Sequence, residues 1–167
     1  SRHRSCGLYK GKLKDILLLY KYRQFKVLGK GLADFISRSL GRDESLFSDA
    51  DLLVPVPLHP RKKRKRGFNQ AGEIAVWLSK RYSIPYQDKA LVKIKNTPPQ
   101  TSLESKERLQ NVKNAYAVKK PGLITGKIVL LVDDVFTTGA TINECSRILK
   151  KAGAKEVRAL SLAQPAS

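Results

Sequence analysis

The chain has 167 residues, 41% hydrophobic and 28% charged, with 33 Lys+Arg against 14 Asp+Glu and a net charge of +19. A chain of this size buries roughly 70% of its unfolded surface, and the composition disfavours disordered, collagenous and membrane-spanning classes; no apolar run approaches the ~20 residues of a spanning helix. The charge excess predicts a polyanionic partner, either nucleic acid or a phosphorylated small molecule, and does not choose between them. Cys6 and Cys145 lie at opposite ends without CxxC spacing, which argues for a reducing, cytoplasmic setting. His3 and Cys6 are too few for a tetrahedral zinc site, so no zinc is expected. The chain opens Ser1-Arg2-His3-Arg4 and contains no Met, so we expect sequence upstream of it.

In chain order, Leu13, Ile16, Leu17 and Tyr20 share one helix face, and Leu28, Leu32, Phe35, Ile36 and Leu40 another, in a helix ending at Gly41. Residues 1–45 are expected to form a small N-terminal helical hood, and 46–167 the core. Residues 42–49 are polar and read as a linker. Leu52-Leu53-Val54 is a short buried strand, stopped by Pro55 and Pro57, and Arg61 to Arg66 a basic loop. Ala71, Ile74, Ala75 and Leu78 face one side of the next helix. Leu91-Val92 begins a strand, residues 96–110 form a long mobile loop containing Pro98-Pro99, and Ala115 to Val118 gives another strand before a turn at Pro121-Gly122.

Ile128 to Val132 is a continuous apolar run of the kind buried on both faces of a parallel sheet. A helix follows with Ile142, Cys145, Leu149 and Ala152 inward and Gly153 as its stop, then a strand over Val157 to Leu162. Alternating strands and helices predict an α/β fold: an open, mainly parallel sheet flanked by helices.

The most informative segment follows the best strand: Asp133-Asp134-Val135-Phe136-Thr137-Thr138-Gly139-Ala140-Thr141. Ligands of open α/β sheets sit beyond the carboxyl ends of the strands. The run from Thr137 to Thr141 opens a helix, whose free N–H groups and dipole attract an anion, while Gly139 permits close backbone approach. Two acids beside a phosphate cradle repel the phosphate unless they serve another group. The vicinal hydroxyls of a ribose suit them, because carboxylates accept from two O–H donors. A ribose 5-phosphate satisfies both halves. No Gly-Lys-Ser/Thr is present for a P-loop, Gly29-Lys30-Gly31 lacks a third spaced glycine and follows a helix pattern, and Val135 stands where a DxD phosphatase has an acid.

This segment resembles the phosphoribosyl pyrophosphate (PRPP) binding signature of type I phosphoribosyltransferases. The resemblance implies ribose binding by Asp133 and Asp134 and 5-phosphate binding by Thr137, Thr138, Gly139, Ala140 and Thr141. Thr137 stands where some purine-salvage members carry an aspartate. Val54-Pro55-Val56-Pro57-Leu58-His59-Pro60, the cationic run to Arg66 and Gly67-Phe68-Asn69-Gln70 suit a pyrophosphate group held by an irregular turn. Val56, Pro57, Leu58, Arg66 and Asn69 are the expected contacts, joined by Gln100 from the mobile loop. With Tyr9-Lys10-Gly11-Lys12, Thr97-Pro98-Pro99-Gln100 and Arg108-Leu109-Gln110-Asn111, the layout resembles the ComF family of competence-associated proteins across nearly the whole chain. That family commonly carries an N-terminal zinc ribbon with paired cysteines, absent here, and Lys93 and Lys95 stand where it is expected to have arginine.

The resemblance implies a transferase acting on PRPP, with Asp133, Asp134 and Arg108 as catalytic residues and Mg²⁺ arriving on the diphosphate. It also implies a link to DNA uptake. The alternative is a catalytically silent, PRPP-regulated module that binds single-stranded DNA through its basic surface. Tyr9, Tyr20, Tyr22, Phe25 and Phe35, interleaved with Lys12, Lys14, Lys21, Arg23 and Lys26, are candidates for stacking on bases, or else core. A homodimer is left open.

Overall fold

The computed structural model describes residues 2–22, 28–41, 45–97 and 110–165. Four strands form one parallel sheet in the order β1-β6-β5-β2: β1 Arg2–Ser5, β2 Leu52–Pro55, β5 Ile128–Val135 and β6 Glu156–Ala163. β3 Leu91–Lys93 and β4 Tyr116–Val118 make a separate antiparallel pair. The helices are α1 Gly11–Tyr22, α2 Leu28–Leu40, α3 Pro60–Arg66, α4 Gln70–Tyr82 and α5 Ala140–Lys151. This is the expected open, parallel α/β sheet flanked by helices.

Strand side chains alternate between faces, so two cores form from one apolar run. Leu53, Leu130, Val132 and Leu160 pack with Leu17 and Tyr20 of α1, Ile36 of α2 and Ile74 and Leu78 of α4. Val54, Val129, Leu131 and Ala159 pack with Leu91, Tyr116 and, from α5, Ile142, Cys145 and Leu149. The N-terminal helices therefore share a core with the sheet. Arg158, 5% exposed, pins the approach to β2: it donates to the carbonyls of Ser45 and Leu46 and grips the carboxylates of Asp49 and Glu156. Among the described residues no helix is long and apolar enough to cross a membrane.

Two features depart from the sequence reading, and a third decides between alternatives it left open. Residues 2–5 form an edge strand, with His3 opposite Ala159 and Ser5 opposite Ser161. The basic stretch Arg61 to Arg66 is helix rather than loop: His59 Nδ1 accepts from the Arg61 amide, Pro60 fits the first turn, and Gly67 closes the helix at φ +79°. Tyr20 is fully buried and donates to the Gln70 carbonyl at 3.3 Å, and Tyr9 and Phe35 pack partly buried against the same core, so these three rings are core rather than base-stacking surface. Phe25, Arg23 and Lys26 lie outside the described residues, as do 98–109 of the proposed mobile loop, with Gln100 and Arg108.

Candidate active site at the ends of β2 and β5

Parallel pairing sets Pro55 of β2 opposite Val132 of β5, and the Val56 amide donates to the Val132 carbonyl at 2.8 Å. The turn after β2 thus lies beside the acids that end β5. Asn69, ahead of α4, donates from Nδ2 to the Val56 carbonyl at 3.0 Å, fixing that turn. Arg66 reaches Gln70 Oε1 at 3.3 Å through an N–H of its guanidinium. Val56 and Pro57 are buried, and Leu58 is half-buried. Pro57, Leu58 and Asn69 line a cavity of about 640 Å³, with Lys63, Tyr86 and Lys93 among its other walls.

β5 continues past the apolar run through Asp133, Asp134 and Val135, with Asp133 opposite Ser161 and Val135 opposite Ala163. Because the strand persists, the two carboxylates leave it toward different surroundings. Asp133, 9% exposed, is electrostatically coupled to Lys93, Tyr116 and Cys145 on the α5 side. Asp134, half-buried, is coupled to Tyr20 on the α1 side. Each carboxylate also accepts from the next backbone amide, Asp133 Oδ1 from Asp134 at 2.9 Å and Asp134 Oδ1 from Val135 at 2.8 Å, which limits their rotation. Any single ligand that meets both acids therefore lies across the strand end rather than to one side of it.

The loop then turns into α5. Gly139 takes φ +75° as the residue ahead of the helix, and its carbonyl accepts from the Asn143 amide at 2.8 Å. The Ala140 amide donates to Thr138 Oγ1 at 3.4 Å. Thr137, Thr138 and Thr141 remain half-buried around the turn, and Thr141 shares a side-chain hydrogen bond with Tyr116. Three threonine hydroxyls and a left-handed glycine thus gather at the start of α5, the end of a helix whose amides and dipole favour an anion.

Lys93, noted in the sequence only as standing where the resembled family is expected to have arginine and not among the expected contacts, lines the same cavity. Its ammonium lies 5.2 Å from the Tyr116 ring centre, and burial, reinforced by repulsion from Lys62, lowers its pKa to about 8. Lys62 is itself drawn inward, donating to the Thr97 carbonyl at 2.7 Å. No group of three or more His, Cys, Asp or Glu among the described residues is arranged to hold a metal ion. Two neighbouring carboxylates fit a divalent cation only if phosphate oxygens and water complete its shell, as Mg²⁺ generally requires.

Residues 64–167 match the phosphoribosyl transferase domain model. The chain belongs to the phosphoribosyl transferase domain family. Within it the ComF-type relatives stand near: the chain is 32% identical over 160 residues to competence protein ComFC of Streptococcus pneumoniae, covering 96% of this chain and 67% of that one. It is 40% identical over 116 residues to competence protein F of Haemophilus influenzae, covering 68% of this chain and 50% of that protein. The DNA utilization protein YhgH of Escherichia coli is 34% identical over 108 residues, which is 65% of this chain and 47% of that protein. The chain therefore spans about half the length of two of these three relatives. Among solved structures, a glutamine PRPP amidotransferase from B. subtilis complexed with ADP and GMP superposes with a TM-score of 0.50 at 26% identity, over 81% of this chain and 25% of that one.

Proposed function

We propose that the chain binds PRPP, or a related ribose 5-phosphate compound, and transfers the phosphoribosyl group to an acceptor nucleophile. The observation that carries this reading is the pair Asp133-Asp134 at the end of β5, followed within one turn by the Thr137 to Thr141 helix start. Asp133 and Asp134 accept from the ribose hydroxyls, and the loop amides with the threonine hydroxyls take the 5-phosphate. Val56, Pro57, Leu58, Arg66 and Asn69 are proposed to face the diphosphate, supported by Pro57, Leu58 and Asn69 sharing one cavity wall with Lys93, and Lys93 adds a cation beside Asp133; Gln100, outside the described residues, is proposed as a further contact. In the transfer, the bond from the anomeric carbon to the diphosphate oxygen breaks and that carbon bonds to the acceptor. The diphosphate leaves with the bonding electron pair. Cations and fixed backbone dipoles facing it stabilise the charge that develops, and Arg108 is proposed to join them. Mg²⁺ bound with the diphosphate supplies further charge neutralisation. The names of the relatives, competence and DNA utilization, support placing this chemistry in DNA uptake.

Calorimetry with PRPP and Mg²⁺, paired with pyrophosphate release over a panel of bases and amines, tests the reading. Saturable binding and acceptor-dependent release are expected. No binding overturns it, and binding without release across the panel favours the silent module.

Lys93 gives this site a pH signature. A lysine lowered to about 8 loses its charge as pH rises through that value, and a bound diphosphate favours the charged form. Pyrophosphate affinity is thus expected to fall above about pH 8, by up to roughly tenfold per pH unit. Lys93→Arg, which stays charged, flattens the curve; titrations between pH 7 and 9.5 on both proteins check this.

A second reading is favoured by α3, in which six consecutive cations, Arg61 to Arg66, form a helix with no buried residue. Such a surface suits a nucleic-acid backbone, whose binding weakens steeply with salt. Replacing Arg61, Lys63, Arg64 and Lys65 by glutamine is expected to flatten the dependence of single-stranded DNA binding on salt by about 3 in log–log slope, at ~0.7 per lost contact. An unchanged slope removes α3 from the interface.

A further inference from the structure

We infer that His3, on the edge strand β1, is a positioning residue for the phosphate loop: its ring holds Phe136 beneath Gly139 and so fixes the amides that meet the anion. The inference rests on the phosphoribosyl reading for what the loop binds, but not for how the loop is held.

The contacts run in one direction from the sheet edge to the site. Pairing with β6 sets His3 opposite Ala159, and its Nε2 lies 3.0 Å from Ser161 Oγ, one pleat further toward the carboxyl end. From there the imidazole stacks on Phe136 with ring centres 3.9 Å apart and planes 20° from parallel. Phe136 sits between the acids and the threonines, its amide bonded to the Ala163 carbonyl at 2.8 Å. Its ring occupies the space under the turn: a Cβ on Gly139 would lie 2.8 Å from Phe136 Cζ and 3.0 Å from Cε2.

The ring is thus confined on one face by His3 and abuts the left-handed residue that aims the loop. Burial lowers the His3 pKa below its ordinary value, which keeps the imidazole neutral and suited to stacking on an apolar ring. A loop held before the ligand arrives binds without the cost of ordering it. Nothing in the proposed transfer uses His3 directly, so its position at the end of this chain of contacts has a separate explanation in loop support.

The test uses the full chain and two readouts, amide hydrogen exchange in the free protein and a ribose 5-phosphate titration. In His3→Ala, the amides of Phe136, Ala140 and Asn143 are expected to exchange about three- to tenfold faster, the range of one aromatic pair. Those of α4 are expected to stay unchanged, and ribose 5-phosphate affinity to fall by a similar factor. His3→Phe keeps the stack without the hydrogen bond and is expected to restore most of both. Ser161→Ala frees the imidazole and gives an intermediate effect, which serves if His3→Ala folds poorly. Unchanged loop exchange in His3→Ala, or failure of His3→Phe to rescue it, overturns the inference. A wild-type protein that ignores ribose 5-phosphate defeats the functional reading, while the exchange measurement still decides the role of His3.

Discussion

The Asp133→Asn/Asp134→Asn double variant is expected to bind PRPP about 10² to 10⁴ times more weakly than the wild type while remaining folded. Hydrogen bonds to charged groups contribute about 1.5–3 kcal/mol each, and two of them convert to that range of affinity. Asparagine preserves shape and one acceptor oxygen, so the loss reports charge rather than packing. The backbone amides that now bond to Asp133 and Asp134 keep an acceptor in the variant. The single variants separate the two environments. Asp133 draws up the pKa of neighbouring Lys93, so Asp133→Asn is expected to shift the pH dependence of pyrophosphate binding to lower pH. Asp134→Asn, on the Tyr20 side, is expected to leave that dependence in place. Calorimetry across pH with a melting curve for each variant checks both statements.

Gly139→Ala is expected to weaken ribose 5-phosphate binding by about 100-fold, converting to ~2.7 kcal/mol. At φ +75° a side chain carries a left-handed penalty of roughly 1–2 kcal/mol. The added Cβ also meets Phe136 Cζ at 2.8 Å. Stacked on His3, that ring cannot swing aside freely, so relief comes from the loop itself, which withdraws its amides from the anion. Gly126→Ala is the matched control: its φ is +73°, yet nothing lies within 4 Å of the added carbon. It is expected to lose comparable stability and keep full affinity. Equal binding by Gly139→Ala and wild type contradicts the loop assignment.

Much of the site was legible because it coincides with the deepest burial. A strand apolar on both faces leaves a run such as Ile128 to Val132, and the acids and threonines that follow have no apolar role to disguise them. What was illegible was made by tertiary context. β1 reads Arg-His-Arg-Ser, with no apolar alternation, and is a strand because the edge of β6 offers it hydrogen bonds. α3 has only cations after Pro60, so no periodicity can appear, and its caps define it. The continuation of β5 through the acids follows from pairing with β6, and it separates the surroundings of the two carboxylates in a way the Asp-Asp dipeptide does not announce. Tyr20 belongs to an apolar helix face yet stands among lysines, which left base-stacking and core both open; it is core because α1 lays that face on the sheet.

A crystal structure with ribose 5-phosphate bound tests the central claim most directly. The account predicts the phosphate against the Thr137 to Thr141 turn, with ribose hydroxyls at hydrogen-bond distance from Asp133 and Asp134 across the end of β5. The sugar phosphate seated on another surface, with both carboxylates turned away from it, contradicts the account.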